Sequence, residues 1–290
     1  MFVFNAAVVG AGVMGGEIAQ TIAAADVPVV LKDVAESYVE AGMAKAREVT
    51  ESRLGKLVER EKLTSEQAAA EQERILSLIT PTTSYDAFGD VDFVVEAVPE
   101  KMAVKHTVFA ELDAVTPGRA ILASNTSGLS ITEIADATMR PDRVVGFHFF
   151  WPASVMRLVE VVEGEETSPE TLQSAVNFAQ SIRKTAIRCA ECPGFVVNRI
   201  LLSTVSEVWR YQQETGAGYE EIDAAITEAK IAPMGPFYLT DMSGLDTTLH
   251  VARDMRDAYG ERFHVHPELE RLVEQGHLGA KSGKGFYEHG

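Results

Sequence analysis

Apolar residues along this chain follow two periodicities, which divide it into a first part of alternating strands and helices and a second part of helices alone. Ala6–Val9 is a short continuous apolar run that leads into glycines, and the segment after them, Met14–Ala25, places Ile18 and Ile22 at helical spacing. Val27–Asp33 is a second run, ending in an acid. Further short runs at Ile75–Ile79, Val91–Val95, Ala120–Ala123, Val144–Phe147, Arg157–Val162 and Thr185–Cys189 predict strands. Helices are predicted between them over Ala35–Arg60, from Thr64 onward, over Lys101–Val115 and over Ser168–Ser181. Thr64-Ser-Glu-Gln67 has the form of a capping box, which opens a helix by satisfying its first amides. This alternation predicts an α/β chain with a doubly wound, mostly parallel sheet. After Pro193-Gly194 the strand signal stops, and Val196–Thr215, Tyr219–Lys230, Leu239–Tyr259 and Pro267–Gln275 are predicted helical. The expected organisation is residues 1–190 followed by a smaller all-α domain, 191–290.

The glycines carry the first chemistry. Gly10-Ala11-Gly12-Val13-Met14-Gly15 sits between a strand and a helix, and Asp33 ends the next strand. In that context Gly10 makes the tight turn, Gly12 lets the backbone approach a pyrophosphate, and Gly15 permits close packing of helix on strand. The helix start at Val13 and Met14 offers free amides to phosphates. The Asp33 carboxylate can accept from an adenosine 2′-hydroxyl and would repel a 2′-phosphate, so NAD is expected rather than NADP; Lys32 beside it pulls slightly the other way. Residues 1–190 therefore read as a Rossmann-type dinucleotide-binding domain. Ligands of such sheets sit at the C-terminal strand ends, which sets Glu96–Glu100, Ser124–Ser127 and His148 along one rim.

His148 ends one apolar run and Glu160 lies inside the next. An ionisable side chain in a run packed on both faces costs several kcal/mol, of the order of 3–5, unless it is paired. These two are the obvious partners for each other, and a carboxylate that orients an imidazole makes a general base. Two separately solvated residues at strand ends would leave the same trace in the sequence. Asn125, Thr126 and Ser127 are small hydrogen-bonding residues directly after a strand; a solvated loop explains them equally until His148 is placed on the same edge. Asn198, polar within Phe195–Leu202, must find a partner or face a cleft.

Composition narrows the field. The 290 residues are 46% hydrophobic and 24% charged, with a formal net charge of −17. A nucleic-acid partner is not expected, because phosphate neutralisation needs a basic surface. No stretch is long and apolar enough to span a bilayer, and the apolar start lacks the basic residues of a signal peptide, its first being Lys32. A soluble, cytoplasmic protein is expected. Cys189 and Cys192 form a lone Cys-x-x-Cys, without the second pair that zinc requires, and read as incidental thiols. His264 and His266 lack a third ligand and read as surface residues, so no metal is expected. Arg53, Lys56 and Arg60 lie on a charged helical hairpin that is mostly a solvated face, although they offer a contact for an anionic substrate tail. Gly279–Gly285 falls short of a phosphate-binding P-loop and reads as a turn-rich segment.

Taken together, Gly10–Gly15, Phe93-Val-Val-Glu-Ala-Val98, Ser124-Asn-Thr-Ser127, Gly146-Phe-His-Phe-Phe150, Leu158-Val-Glu-Val161, Pro193-Gly-Phe-Val-Val-Asn-Arg199, Pro233-Met-Gly-Pro236 and Gly283-Lys-Gly-Phe-Tyr287 resemble the 3-hydroxyacyl-CoA dehydrogenase family, in order and over essentially the whole chain. The resemblance implies NAD-dependent oxidation of (S)-3-hydroxyacyl-CoA to 3-ketoacyl-CoA and its reverse, as in fatty-acid β-oxidation. It implies His148 as catalytic base, Glu160 as its orienting carboxylate, and Ser127 and Asn198 as contacts to the substrate oxygen. Asp33 maps to the ribose-binding acid, and Glu100, Lys105 and Asn125 to positions that approach the cofactor. It further implies an acyl-CoA substrate and a homodimer formed through the helical domain. One residue departs: the family usually has Asn-Pro after His-Phe-Phe, and here Trp151-Pro152 stands. That keeps open a dehydrogenase of a free hydroxy acid or sugar acid on the same scaffold, with a non-catalytic NAD-binding protein as the alternative from another class. The charged segment Arg53–Lys62 looks more like the dehydrogenase portions of multifunctional β-oxidation enzymes, which are often fused to a hydratase half.

Overall fold

The computed structural model describes residues 2–289 and divides into two compact units, one ending at Cys192 and the other beginning at Pro193. In the first unit β1 (Ala6–Val9) leads into α1 (Val13–Ala23), β2 (Val29–Lys32), α2 (Glu36–Glu59), α3 (Ser65–Ser77) and β3 (Ile79–Thr82). Then follow β4 (Phe93–Glu96), α4 (Met102–Val115), β5 (Ile121–Ser124), α5 (Ile131–Ala135), β6 (Val144–Phe149), β7 (Leu158–Glu163), α6 (Pro169–Ser181) and β8 (Thr185–Ala190). The strands form one sheet in the order β3-β2-β1-β4-β5-β6-β7-β8. Pairing is parallel except between β6 and β7. The order reverses direction between β1 and β4, which is the switch point where doubly wound sheets open a crevice for ligands.

The fold is the mostly parallel, doubly wound α/β sheet that the alternation predicts. Its inner strands β1, β4, β5 and β6 are buried along their whole length, as strands covered by helices on both faces are. Val8, Ile18, Ile22, Leu31 and Phe93 are buried to 2% exposure or less. Phe93 packs against Phe178 with ring centroids 4.5 Å apart and edge-on against Phe147 at 5.1 Å, which ties α6 onto the sheet. The Thr64 capping box is present, with Gln67 N donating to Thr64 Oγ1 at 3.1 Å and Thr64 N to Gln67 Oε1 at 2.9 Å. That helix runs further than the strand pattern allowed. Ile75, expected to start a strand, is a fully buried residue of α3, and the strand begins at Ile79. A five-residue apolar run satisfies both periods, and the capped helix upstream decides which wins.

The second unit contains α7 (Val197–Thr215), α8 (Tyr219–Glu228), α9 (Pro236–Ser243), α10 (Leu245–Tyr259) and α11 (Pro267–Glu274) around a core that includes Trp209, Phe237, Leu245 and Leu269. The single helix expected over Leu239–Tyr259 is two: Gly244, at φ +90°, breaks it. Asp223 and Asp241 hold this unit's turns. Asp223 accepts from Phe237 N at 3.1 Å and Tyr238 N at 2.8 Å, capping α9, while Asp241 accepts from Phe286 N and Tyr287 N, both at 2.9 Å, and so anchors the glycine-rich tail.

His266 corrects the expectation of a surface residue. It is 4% exposed and caps α11: Nδ1 accepts from Glu268 N at 3.1 Å while Nε2 donates to Gln212 Oε1 at 2.7 Å. Both bonds need the neutral ring with its proton on Nε2. Burial, reinforced by neighbouring His264, pushes its pKa from 6.5 down to about 4. An unfolded chain therefore takes up this proton first as pH falls, so the stabilising contribution is full above 6.5 and is lost between 6.5 and about 4. Acid titration of urea stability should show a loss on the order of 2 kcal/mol across that window. His266→Asn, which retains a cap but does not titrate, should flatten it; an equally steep decline in that variant would refute the assignment.

Candidate active site

Sheet register builds the central pair. In the antiparallel ladder of β6 and β7, His148 lies directly opposite Glu160, so their side chains leave the same face. His148 Nδ1 and Glu160 Oε2 are 2.8 Å apart, with the residues 4% and 0% exposed. A carboxylate can only accept, so the proton of this bond belongs to Nδ1, and in the neutral tautomer the lone pair is on Nε2. The alternative of two separately solvated residues is excluded by this geometry. Phe150 packs on the imidazole with centroids 4.6 Å apart.

The neighbouring strand ends supply the rest of the rim. Asn125, directly after β5, accepts from Phe149 N at 2.8 Å and so fastens the end of β5 to the residue after His148. Ser127 is half-buried, its backbone N donating to Glu100 Oε1 at 2.8 Å, and Thr126 Oγ1 donates to the same oxygen at 2.5 Å. Lys105 is 1% exposed; its ammonium donates to Glu96 Oε1 at 2.7 Å and Oε2 at 2.9 Å and lies 3.2 Å from Glu100 Oε2. Glu96 also accepts from Ser124 Oγ at 2.6 Å and Val98 N at 2.7 Å. The loop that carries Ser127 is thus held through Glu100 to a buried ion pair beneath it. Glu96, fully buried at the end of Phe93-Val-Val-Glu96, was placed on the rim by the sequence, but its pairing with Lys105 was not foreseen. The signal that singled out Glu160, a carboxylate inside a buried run, would have called for a partner.

At the switch point the glycine turn fits a dinucleotide. Gly10 has φ +101°, and a Cβ there would meet Ala97 O at 2.5 Å. A Cβ on Gly15 would lie 1.7 Å from Gly10 O, whereas one on Gly12 would meet nothing within 4 Å, leaving open space over the helix start. No side chain caps α1, and its first turn holds no acid, so the amides of exposed Val13, half-buried Met14 and buried Gly15 are presented to an anion. Beside them lies a cavity of about 350 Å³, lined by Val9, Val34, Val98, Val104 and Val108 together with Lys32 and the two acids Asp33 and Glu111. Apolar walls with a carboxylate at the end of β2 suit an adenosine. Asp33 accepts from Ala11 N and Val34 N, both at 2.6 Å, which fixes the carboxylate and leaves lone pairs for hydroxyls. The Lys32 ammonium turns to the Tyr85 ring, 4.1 Å from its centroid. Gly15→Ala is expected to weaken NADH binding by at least about tenfold, or about 1.4 kcal/mol, in a fluorescence titration; unchanged affinity would mean that the turn has room it does not show.

Other sequence candidates are placed elsewhere. Asn198 stands in the first turn of α7, in the second unit, half-buried. Arg53 is half-buried with Glu71 at 4.0 Å, while Lys56 and Arg60 are exposed. Cys189 lies within β8, where no helix opens after it, unlike a redox Cys-x-x-Cys. Among the described residues no group of three or more His, Cys, Asp or Glu could hold a metal ion, and no helix is long and apolar enough to cross a membrane. Trp151 is 55% exposed on the β6–β7 connection.

Comparison with known proteins gives the family. Residues 5–192 match the 3-hydroxyacyl-CoA dehydrogenase NAD binding domain, and residues 194–289 match the C-terminal domain of the same family. The chain is 40% identical over 287 residues to the fatty acid oxidation complex subunit alpha of Psychrobacter sp. (strain PRwf-1), covering 98% of this chain and 38% of that longer protein. It is 39% identical over 284 residues to the 3-hydroxybutyryl-CoA dehydrogenase of Clostridioides difficile, covering 98% of each. The crystal structure of (S)-3-hydroxybutyryl-CoA dehydrogenase from Ralstonia eutropha superposes with a TM-score of 0.90 at 36% identity, covering all of both chains. With the glycine turn, the Asp33 cavity and the His148–Glu160 pair in place, NAD is the cofactor, and the chain belongs to the 3-hydroxyacyl-CoA dehydrogenase family.

Proposed function

We propose that this protein interconverts (S)-3-hydroxyacyl-CoA and 3-ketoacyl-CoA with NAD. The observation that carries the reading is the buried His148–Glu160 pair, 2.8 Å apart, on the sheet edge that also bears the glycine turn. When bound, NAD supplies the hydride acceptor. His148 takes the 3-hydroxyl proton on Nε2 in the oxidative direction and returns it in the reductive one, while Glu160 holds the ring in the required tautomer. Ser127 and Asn198 are assigned hydrogen bonds to the substrate oxygen, whose charge changes as hydride moves. Glu100 and Asn125 fix the loop around Ser127, and Lys105 sets Glu100. The reading takes the first unit as the dinucleotide-binding domain and the second as the substrate and dimerisation domain. It also carries a homodimer in the cytoplasm, with sedimentation velocity as the check on the dimer.

NADH-linked reduction of acetoacetyl-CoA and longer 3-ketoacyl-CoAs is the direct test. Turnover of at least one of them is expected; protein that binds NADH but reduces none would end the CoA assignment. A second reading, oxidation of a free hydroxy acid, is favoured by exposed Trp151 where the family usually has Asn. Parallel assays of thioesters and the corresponding free acids separate the two.

A further inference from the structure

The connection between β6 and β7, Phe150–Arg157, shows a division that a solvated turn does not need. Trp151, Val155 and Met156 are 55%, 69% and 41% exposed, yet Ala153 between them is wholly buried. Two buried charges reach the turn from different elements. Glu17 of α1, 1% exposed, accepts at Oε2 from both Ser154 N and Ser154 Oγ at 3.1 Å. Thr21, one helical turn further on, directs Oγ1 to Ala153 O at 3.5 Å. Lys184, 8% exposed just before β8, donates to Ala153 O at 2.5 Å and Met156 O at 2.8 Å. Bonds from Val155 N and Met156 N to Pro152 O close the turn on itself at 3.0 and 2.9 Å.

Burying a carboxylate and an ammonium is costly, and loops ordinarily tolerate looser support. Burial pushes the Lys184 ammonium down to about 8 against the opposing attraction of Glu17. What these charges hold is the position of the turn, because the register of His148 against Glu160 is already set by the strand ladder. Trp151 follows His148 by three residues at the C-terminal end of β6, the edge where ligands of such sheets bind.

We propose that Glu17 and Lys184 are positioning residues that hold the β6–β7 turn so that Trp151 stands at a fixed place beside the substrate and sets acyl-chain preference. This rests on the 3-hydroxyacyl-CoA reading above. The latch acts on where the acyl group lies and not on proton transfer, so it moves KM and chain selectivity more than kcat.

The test is a cycle of Lys184→Met and Trp151→Ala, read as the ratio of kcat/KM for acetoacetyl-CoA to that for 3-ketodecanoyl-CoA. Lys184→Met is expected to change this ratio by about tenfold, the size of a lost hydrogen bond to a charged group. It should do so mainly through KM, with NADH affinity unchanged. In the Trp151→Ala background the same substitution should leave the ratio within about twofold, since the residue it positions is gone. Lys184→Arg should restore the wild-type ratio. An unaltered ratio, an equal change in both backgrounds, or a parallel fall of kcat and NADH affinity would overturn the proposal. If Lys184→Met does not fold, Glu17→Gln and Ser154→Ala carry the same comparison. If the wild-type protein reduces no 3-ketoacyl-CoA, the functional reading fails by itself. The latch is then read from acrylamide quenching of tryptophan, to which exposed Trp151 responds and buried Trp209 does not: Lys184→Met alters quenching if the turn is held and leaves it unchanged if it is not.

Discussion

His148→Gln is expected to lower turnover of 3-ketoacyl-CoA by about a thousandfold while NADH affinity stays within about twofold. A positioned general acid–base group contributes of the order of 10²–10⁴ in rate. The ring lies on β6, whereas the dinucleotide turn is built by β1, α1 and β2, so its loss should leave cofactor binding alone. Glutamine fills similar volume and keeps a donor toward Glu160, which limits damage to the ladder. Stopped-flow reduction with saturating NADH, beside a fluorescence titration of NADH, measures both quantities. Turnover near the wild-type level would refute the base assignment. Glu160→Gln removes the acceptor that holds the Nδ1 proton while leaving the imidazole in place. It is expected to cost roughly tenfold to a hundredfold and to change the pH–rate profile; an unaltered profile would show that the carboxylate has no part in proton transfer.

Lys105→Met should destabilise the first unit by about 3–5 kcal/mol, because it leaves a buried carboxylate without its cation. Glu96 is 0% exposed and Lys105 1% exposed, and among the described residues Ser124 Oγ and Val98 N would continue to serve the Glu96 oxygens. The double variant Glu96→Gln, Lys105→Met should recover at least half of that loss, since the uncompensated charge disappears with it. Urea denaturation of the two single variants and the double variant measures the cycle. A cost below about 1 kcal/mol for Lys105→Met, the range of exposed pairs, would show the pair to be far less isolated from water than its geometry indicates. Because Glu100 receives both Lys105 and Ser127 N, the single variant should also raise KM for the acyl substrate.

The buried pair also shows how far local pattern reaches. Lys105 shares a helical face with buried Phe109 and Leu112, yet by residue type alone its ammonium belongs in water. It is buried because the end of β4 presents Glu96 to it, which is a relation between elements and not between neighbours in the chain. His266 is the same lesson in the second unit. A histidine without metal-binding companions reads as a surface residue, and its burial follows from Gln212, on another helix, accepting a hydrogen bond from its Nε2. Ile75 failed for a different reason, since a short apolar run is consistent with either period and the capped helix before it prevails.

What the amino-acid order determined alone was local: the glycine turn between strand and helix, the acid directly after β2, the Thr64 cap, and the change from strands to helices near Pro193. Each depends on backbone conformation or periodicity within a few residues, where sterics and hydrogen bonding act directly. The tertiary structure decided the sheet order, with β1 beside β4, and the reversal of β7. That reversal turned His148 and Glu160 from two polar interruptions in separate runs into an opposed pair. It also decided that Glu17 and Lys184, a helix residue and a residue before the last strand, meet on the turn that carries Trp151. Burying an ionisable group is tolerated only where a partner waits, and where the partner waits is set by how the strands and helices are stacked.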